Sequence, residues 1–415
     1  MPATPTTVPD AAPDAPTTPA SVVRLPRPLP VPAAPSSRPR LRGLDGLRFV
    51  AAVTVVLYHF AAYARYEDQT WGEQVTDAVG PIGVVASYGA LGPYLFFVIS
   101  GFVILMTAWG RDVPHFLASR AGRLFPAYWV AVLATATLLI AIWNPGRSVS
   151  WETAGVNLTM FQRAFGISHV DGVYWTLWVE MRFYLLVLVF LLVGITRRRI
   201  ELVAGLWPLV ALIALQLDLG VLPYWLIANE APFFAAGMAI FLIHRHGHTV
   251  LRWMILLVNT GLGVAYLDSS LVPTISENTE NAPSRPLMAV LVVACVAAVA
   301  AVSWGRAAHL GSRSRRLGAV LTLGGALTYP LYLIHQYWGW WVTSMLASRL
   351  PSWVVLLAAL GFSLMAAALV HYAVERRFGP AVRDAVLRFC ERVRLAGRSA
   401  RPHPVASHGA VELGS

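Results

Sequence analysis

The chain has 415 residues, of which 57% are hydrophobic and only 13% charged, against about 45–50% apolar and about 25% charged in a soluble domain. So few charges cannot cover soluble surfaces at this length, which excludes a wholly soluble, secreted or fibrous protein and makes a polytopic membrane protein the expectation. All 32 residues of the Lys+Arg count are arginines, so lysine chemistry is excluded, and the net charge of +11 means either a nucleic-acid-binding face or arginines sorted across a membrane.

Residues 1–40 hold 12 of the 28 prolines among Ala, Thr and Ser, with no apolar period. Such a segment buries too little surface to offset its conformational entropy, and it is expected as a disordered, Pro-rich cytoplasmic tail. From Leu44 onward come ten apolar stretches of about 18–25 residues, the length that crosses about 30 Å of hydrocarbon as helix. Their expected bounds are Leu44–Tyr63, Val84–Met106, Leu124–Trp143, Val173–Ile195, Ile200–Leu217, Val221–Ile243, Val250–Leu267, Leu287–Trp304, Leu317–Met345 and Trp353–Tyr372. The fold expected is an all-α polytopic membrane helix bundle of about ten transmembrane helices. A membrane domain over 41–378 is followed by a basic tail over 379–415.

The arginines decide between the two meanings of the charge. On this span pattern 26 of them fall on one side and five (Arg65, Arg147, Arg163, Arg285 and Arg349) on the other, while Arg182 lies within the fourth span. Cationic loops stay cytoplasmic, so both termini are expected inside a cell membrane, with the bilayer as the partner and no nucleic acid. Cys295 lies within a span and Cys390 in the tail, so no disulfide is expected.

Ionisable groups within spans are costly, by about 2.5–3.5 kcal/mol each at a helix centre, and mark candidate sites. Arg48 and His59 are eleven residues apart, which on a helix sets them within about 20° of one face and about 16 Å apart. Asp45, one turn before Arg48, is within ion-pair reach. An imidazole in apolar surroundings suits general-base work on a hydroxyl, although a histidine bonded to a neighbouring helix satisfies the same pattern. In Trp175-Thr-Leu-Trp-Val-Glu180-Met-Arg182-Phe-Tyr184, Glu180 and Arg182 point to different faces, and Glu180 reaches a depth at which contact with His59 is feasible.

Arg120 and Arg123 share a helix face and could clamp a phosphorylated ligand or simply anchor the helix at the interface. Glu230 divides between substrate contact and structural bonding, and for His335 packing or an interfacial role stands ahead of substrate contact. His244, His246 and His248 read as a basic interfacial turn, and no metal is expected. The sequence contains no GxSxG elbow, phosphate loop or dinucleotide glycine fingerprint.

In this order the segments resemble the acyltransferase family 3 of integral-membrane O-acyltransferases, over about Leu41 to Phe378. The matching runs are Leu44-Asp-Gly-Leu-Arg-Phe-Val-Ala-Ala ending in Tyr58-His59, Leu95-Phe-Phe-Val-Ile-Ser-Gly-Phe102, Arg120-Ala-Gly-Arg123-Leu-Phe-Pro-Ala-Tyr-Trp, Tyr174-Trp-Thr-Leu-Trp-Val-Glu180 through Phe183-Tyr184, Phe233-Phe-Ala-Ala-Gly237, and Tyr329 to His335. The resemblance implies transfer of an acyl group, acetyl foremost, from acyl-CoA to a hydroxyl of a sugar or glycosylated metabolite. It implies His59 as catalytic base or transient acyl carrier, Arg120 and Arg123 on the CoA phosphates, and Glu180 orienting His59 or the acceptor. Asp45 and Arg48 would shape the inner mouth. Trp175, Arg182, Tyr184, Glu230 and His335 complete the set expected to touch substrate. Met181 and Arg182 stand where many members have an acid and a glutamine. O-acetylation of cell-surface polysaccharide, and transport of a sugar- or lipid-linked molecule, are the alternatives.

Overall fold

A computed structural model describes residues 41–304 and 314–399, with side chains as far as 394. The expected Pro-rich segment 1–40 and the last residues, 400–415, lie outside the described residues. Hydrocarbon offers an unpaired N–H or C=O no partner, so each crossing segment must close its hydrogen bonds within itself. Among the described residues the secondary structure is helical throughout.

The bundle is built from α1 (Arg42–Ala61), α2 (Pro81–Ala108), α3 (Val113–Ile142), α4 (Gly172–Val193), α5 (Arg197–Gln216), α6 (Ala231–His246), α7 (Val250–Thr279), α8 (Arg285–Ser303), α9 (Arg315–Leu346) and α10 (Ser352–Val370). All of these except α6 belong to the nine helices among the described residues that are long and apolar enough to cross a membrane. The chain is thus an all-α, multi-pass membrane protein.

Two expected boundaries move. The sixth span, expected over Val221–Ile243, is a short helix Leu222–Trp225, a break, and then α6 of 16 residues. Ile227 in the break is left-handed, with φ 58°, and Pro232 in the first turn of α6 starts a new helix instead of continuing the old one. At about 24 Å α6 is short for a bilayer, but every residue from Ala231 to Ile243 is buried by other helices. It therefore need not match the hydrocarbon thickness. The third helix begins at Val113, not Leu124, because the Asp112 side chain accepts from the His115 backbone N–H and Pro114 fits the first turn. Arg120 and Arg123 accordingly ride on α3 instead of preceding it.

Close approach of backbones holds the centre together. A Cβ placed on Gly101 of α2 would collide with the Phe234 carbonyl, and one on Gly237 of α6 with the Val98 carbonyl. The two helices run parallel in register, with Phe97 against Phe234 at 5.0 Å and Phe102 against Phe241 at 5.8 Å between ring centroids. α1 and α9 are also parallel: Gly325 faces Asp45, Gly324 faces Phe49, and Gly339 faces the Phe60 ring.

After α10 a π-helical turn, His371–Glu375, continues into α11 (Arg376–Ser399), which lies along α3 with Gly122 and Gly379 back to back. The domain boundary expected at 378 therefore falls inside a helix.

Gly237→Ala is expected to destabilise the protein by about 1–3 kcal/mol through overpacking. Gly261→Ala, where nothing lies within 4 Å of the added methyl, should be neutral or stabilising by up to about 1 kcal/mol. Thermal unfolding of the two variants in one detergent compares them directly.

Candidate active site

Helices α1, α2, α3, α4 and α9 line a cavity inside the bundle. Its wall carries Arg48 from α1, Arg120 and Arg123 from α3, and Glu180 and Tyr184 from α4. Three guanidinium groups thus face one carboxylate. Glu180 is held by Ser100 of α2, whose Oγ donates to its Oε1 at 2.9 Å. Arg120 lies between the Phe116 and Tyr184 rings, 5.8 and 5.9 Å from their centroids. Its Nη2 reaches Thr107 Oγ1 at only 3.4 Å, and its Nε is buried without a hydrogen-bond partner. A buried, unpartnered guanidinium donor is costly unless an acceptor arrives. The donor set therefore fits a multiply charged anion such as a phosphate, and Arg120 and Arg123, three residues apart on one helix, can act on it together.

Asp45 does not line this cavity; it packs against Gly325 at the α1–α9 contact. Nor does His59. It stands near the C-terminal end of α1, with ring contacts to Tyr58, Tyr63 and Trp340. Its Nδ1 is 2.9 Å from the Val55 carbonyl and 3.1 Å from His335 Nε2. The expected Glu180–His59 contact is not formed: Ser100 bonds the carboxylate, and His335, fully buried in α9, takes the histidine. That burial removes the interfacial role open to His335 from the sequence. Between the cavity and the histidine pair lies Tyr332, which lines the cavity, exchanges a 2.9 Å hydrogen bond with Thr176, and packs its ring against His335 at 5.8 Å.

The remaining expected residues assemble elsewhere. Trp175, Arg182 and Glu230 line a second pocket on the opposite face of α4, together with Trp178, Tyr224 and His169. Glu230 is the residue immediately before α6, not one within a span. Arg182 donates through Nη1 to the Tyr224 carbonyl, its guanidinium lies 4.3 Å from the Tyr224 ring centroid, and its Nε is buried without a partner. Trp178 Nε1 donates to the Tyr224 hydroxyl at 2.5 Å. The two-residue step from Glu180 to Arg182 thus separates two pockets, as helix geometry requires. Tyr184, grouped by sequence with the substrate residues, belongs to the first cavity.

Sequence reasoning missed Ser100, Thr176, Tyr224 and Tyr332 as wall residues. An uncharged hydroxyl in a span carries no signal of its own, and only the chemistry of its neighbours marks it.

Several comparisons bear on this arrangement. A family model described as an acyltransferase domain, of the acyltransferase 3 type, matches residues 41–372. The chain belongs to that acyltransferase family. It is similar to the acyltransferase MdmB of Streptomyces mycarofaciens, 28% identical over 154 residues, covering 35% of this chain and 38% of the relative. It is also similar to the putative peptidoglycan O-acetyltransferase YrhL of Bacillus subtilis (strain 168), 27% identical over 198 residues, covering 42% of this chain and 28% of the relative. The match spans less than two fifths of either relative's length. No solved structure matches this chain.

The connection from α3 to α4 contains a titrating pair, His169 and Asp171. Arg147 donates to the His169 carbonyl and, at 2.6 Å, to the Tyr337 hydroxyl. Burial, with Arg163 and Arg147 adding to it, holds His169 down at about 4, whereas burial pushes Asp171 up to about 7. Against unfolded values of about 6.5 and about 3.9, the two act in opposite senses. His169 contributes stability that is lost as pH falls from about 6.5 to about 4, and Asp171 contributes stability lost as pH rises from about 3.9 to about 7. Asp171→Asn should unmask stability rising with pH between about 4 and 6.5, and His169→Gln should unmask the reverse slope. Melting temperature against pH, with wild type flatter than either variant, checks this.

Proposed function

We propose that the chain is a membrane O-acyltransferase, moving an acyl group, acetyl foremost, from acyl-CoA to a hydroxyl of a sugar or glycosylated metabolite. The observation that carries the reading is the convergence of Arg48, Arg120 and Arg123 with Glu180 on one cavity inside the bundle of an acyltransferase-family chain. The cationic wall suits a phosphorylated donor, with Arg120 Nε unpartnered and Arg123 beside it. The charge bias supports the arginine-rich ends, and with them both termini, on the cytoplasmic side of the plasma membrane, where acyl-CoA is available.

The second pocket is assigned to a part of the acceptor away from its reacting hydroxyl. Flat indole faces at Trp175 and Trp178, with Arg182 and Glu230 between them, offer a glycoside apolar stacking and directional hydrogen bonds. Relatives named for an acyltransferase and for a putative peptidoglycan O-acetyltransferase keep both a small glycosylated acceptor and a surface polysaccharide within this reading.

His59 is the base. The acceptor O–H proton moves to its ring nitrogen as the oxygen bonds to the thioester carbonyl carbon and the carbonyl electron pair moves onto oxygen. Collapse of that oxyanion breaks the C–S bond, and His59 returns its proton to the departing thiolate. Glu180 and Arg48 shape the polar side of the donor cavity, and Asp45 fixes α1 against α9.

Purified protein incubated with acetyl-CoA and a panel of hydroxylated glycosides should release free thiol and form ester, and His59→Ala should lower kcat by at least about 10²-fold. Arg120→Ala and Arg123→Ala are expected to raise KM for acetyl-CoA about tenfold each, the effect of about 1.4 kcal/mol. Trp175→Ala and Arg182→Ala should instead raise KM for the acceptor. An absence of acyl-CoA turnover with every acceptor, alongside substrate movement across proteoliposomes, would replace the enzyme by a transporter.

A further inference from the structure

The bonding of His335 fixes where protons sit in the histidine pair. Its Nδ1 lies 2.9 Å from the Tyr332 carbonyl and 3.1 Å from the Leu331 carbonyl. Both partners are pure acceptors, so Nδ1 must carry the hydrogen. His335 is fully buried, and no carboxylate lies within ion-pair distance of it among the described residues, so a second proton would leave an uncompensated charge inside the bundle. The ring is therefore neutral, and its Nε2 has a lone pair.

That lone pair faces His59 Nδ1 at 3.1 Å, with the Val55 carbonyl 2.9 Å from the same nitrogen. Two acceptors converge on His59 Nδ1, which must be the protonated nitrogen. The remaining nitrogen, His59 Nε2, is then the unprotonated one. Further contacts keep the ring in place: the Trp340 indole N–H donates to the His59 carbonyl at 2.7 Å, and the Tyr63 and Trp340 rings flank the imidazole.

We propose that His335 is a positioning residue for proton transfer. It holds His59 in the tautomer whose Nε2 can accept a proton, and it accepts the Nδ1–H bond of the imidazolium that results. The relay is built from a neutral ring, so it adds no fixed charge to the membrane interior. This rests on His59 acting as the base in the proposed reaction. It reassigns His335 from touching substrate to acting through His59.

The closing experiment has two arms. In ¹⁵N-histidine-labelled full-length protein in detergent, His59 is assigned by difference against His59→Gln. Its Nδ1 should show the shift of a protonated nitrogen, its Nε2 that of an unprotonated one, and a coupling across the hydrogen bond should join His59 Nδ1 to His335 Nε2. This arm needs no turnover, so it decides the proton arrangement even if the acyltransferase reading fails. In the second arm, His335→Gln, whose side-chain carbonyl can accept from Nδ1–H, should keep kcat within about fivefold of wild type. His335→Leu, which cannot accept, should lose about 10²-fold in kcat with KM for donor and acceptor unchanged. An unprotonated His59 Nδ1, a missing coupling, or equal kcat for the Gln and Leu variants would each overturn the proposal.

Discussion

A charged side chain cannot face hydrocarbon without large cost, and from this the placement of nearly every ionisable group in the bundle follows. Among the described residues most arginines sit in the connections, in the terminal turns of the spanning helices or along α11. Those within the bundle line a cavity or stack on aromatic rings, as Arg120 does on Phe116 and Tyr184 and Arg182 on Tyr224. The histidine pair meets the same constraint differently: it links the two rings to each other and to backbone carbonyls, with no carboxylate partner among the described residues. Polar chemistry within a bilayer is thereby confined to places where other helices supply the missing solvent.

Enclosing such places demands tight helix contact around them. The α2–α6 pair meets backbone to backbone at Gly101 and Gly237, and α9 passes α1 at Gly324, Gly325 and Gly339. These contacts bring Ser100, one residue before Gly101, to Glu180, and His335 to His59. Small residues in the spans therefore set the shape of these places without lining them, because an added methyl would shift a wall that carries a buried polar group.

Much of this was legible in the sequence, for physical reasons. That the chain is a multi-pass helix bundle follows from run length, which is a local property. Arg48, Arg120, Arg123 and Glu180 stood out because charge within a span needs a cause, and the cavity supplies one. Helix periodicity also separated Glu180 from Arg182 correctly. What the sequence could not carry was pairing across long separations: His59 and His335 are 276 residues apart, and nothing local specifies which of several buried polar groups a histidine meets. The sixth span misled because apolar residues flank Asn229 and Glu230 on both sides, whereas the break depends on backbone geometry at Ile227 and on Pro232.

Helix α4 separates the two pockets as a single partition. Between Trp175 and Val193 it contains neither glycine nor proline, so it is a stiff element with two independent faces. Positions 175, 178, 179 and 182 belong to one room and 176, 177, 180 and 184 to the other. Exchange of side chains along the first set can remodel what is recognised while the second set keeps its chemistry. In evolutionary terms, the proposed function would make new acceptors accessible through four positions of one helix, with the residues on its far side unchanged.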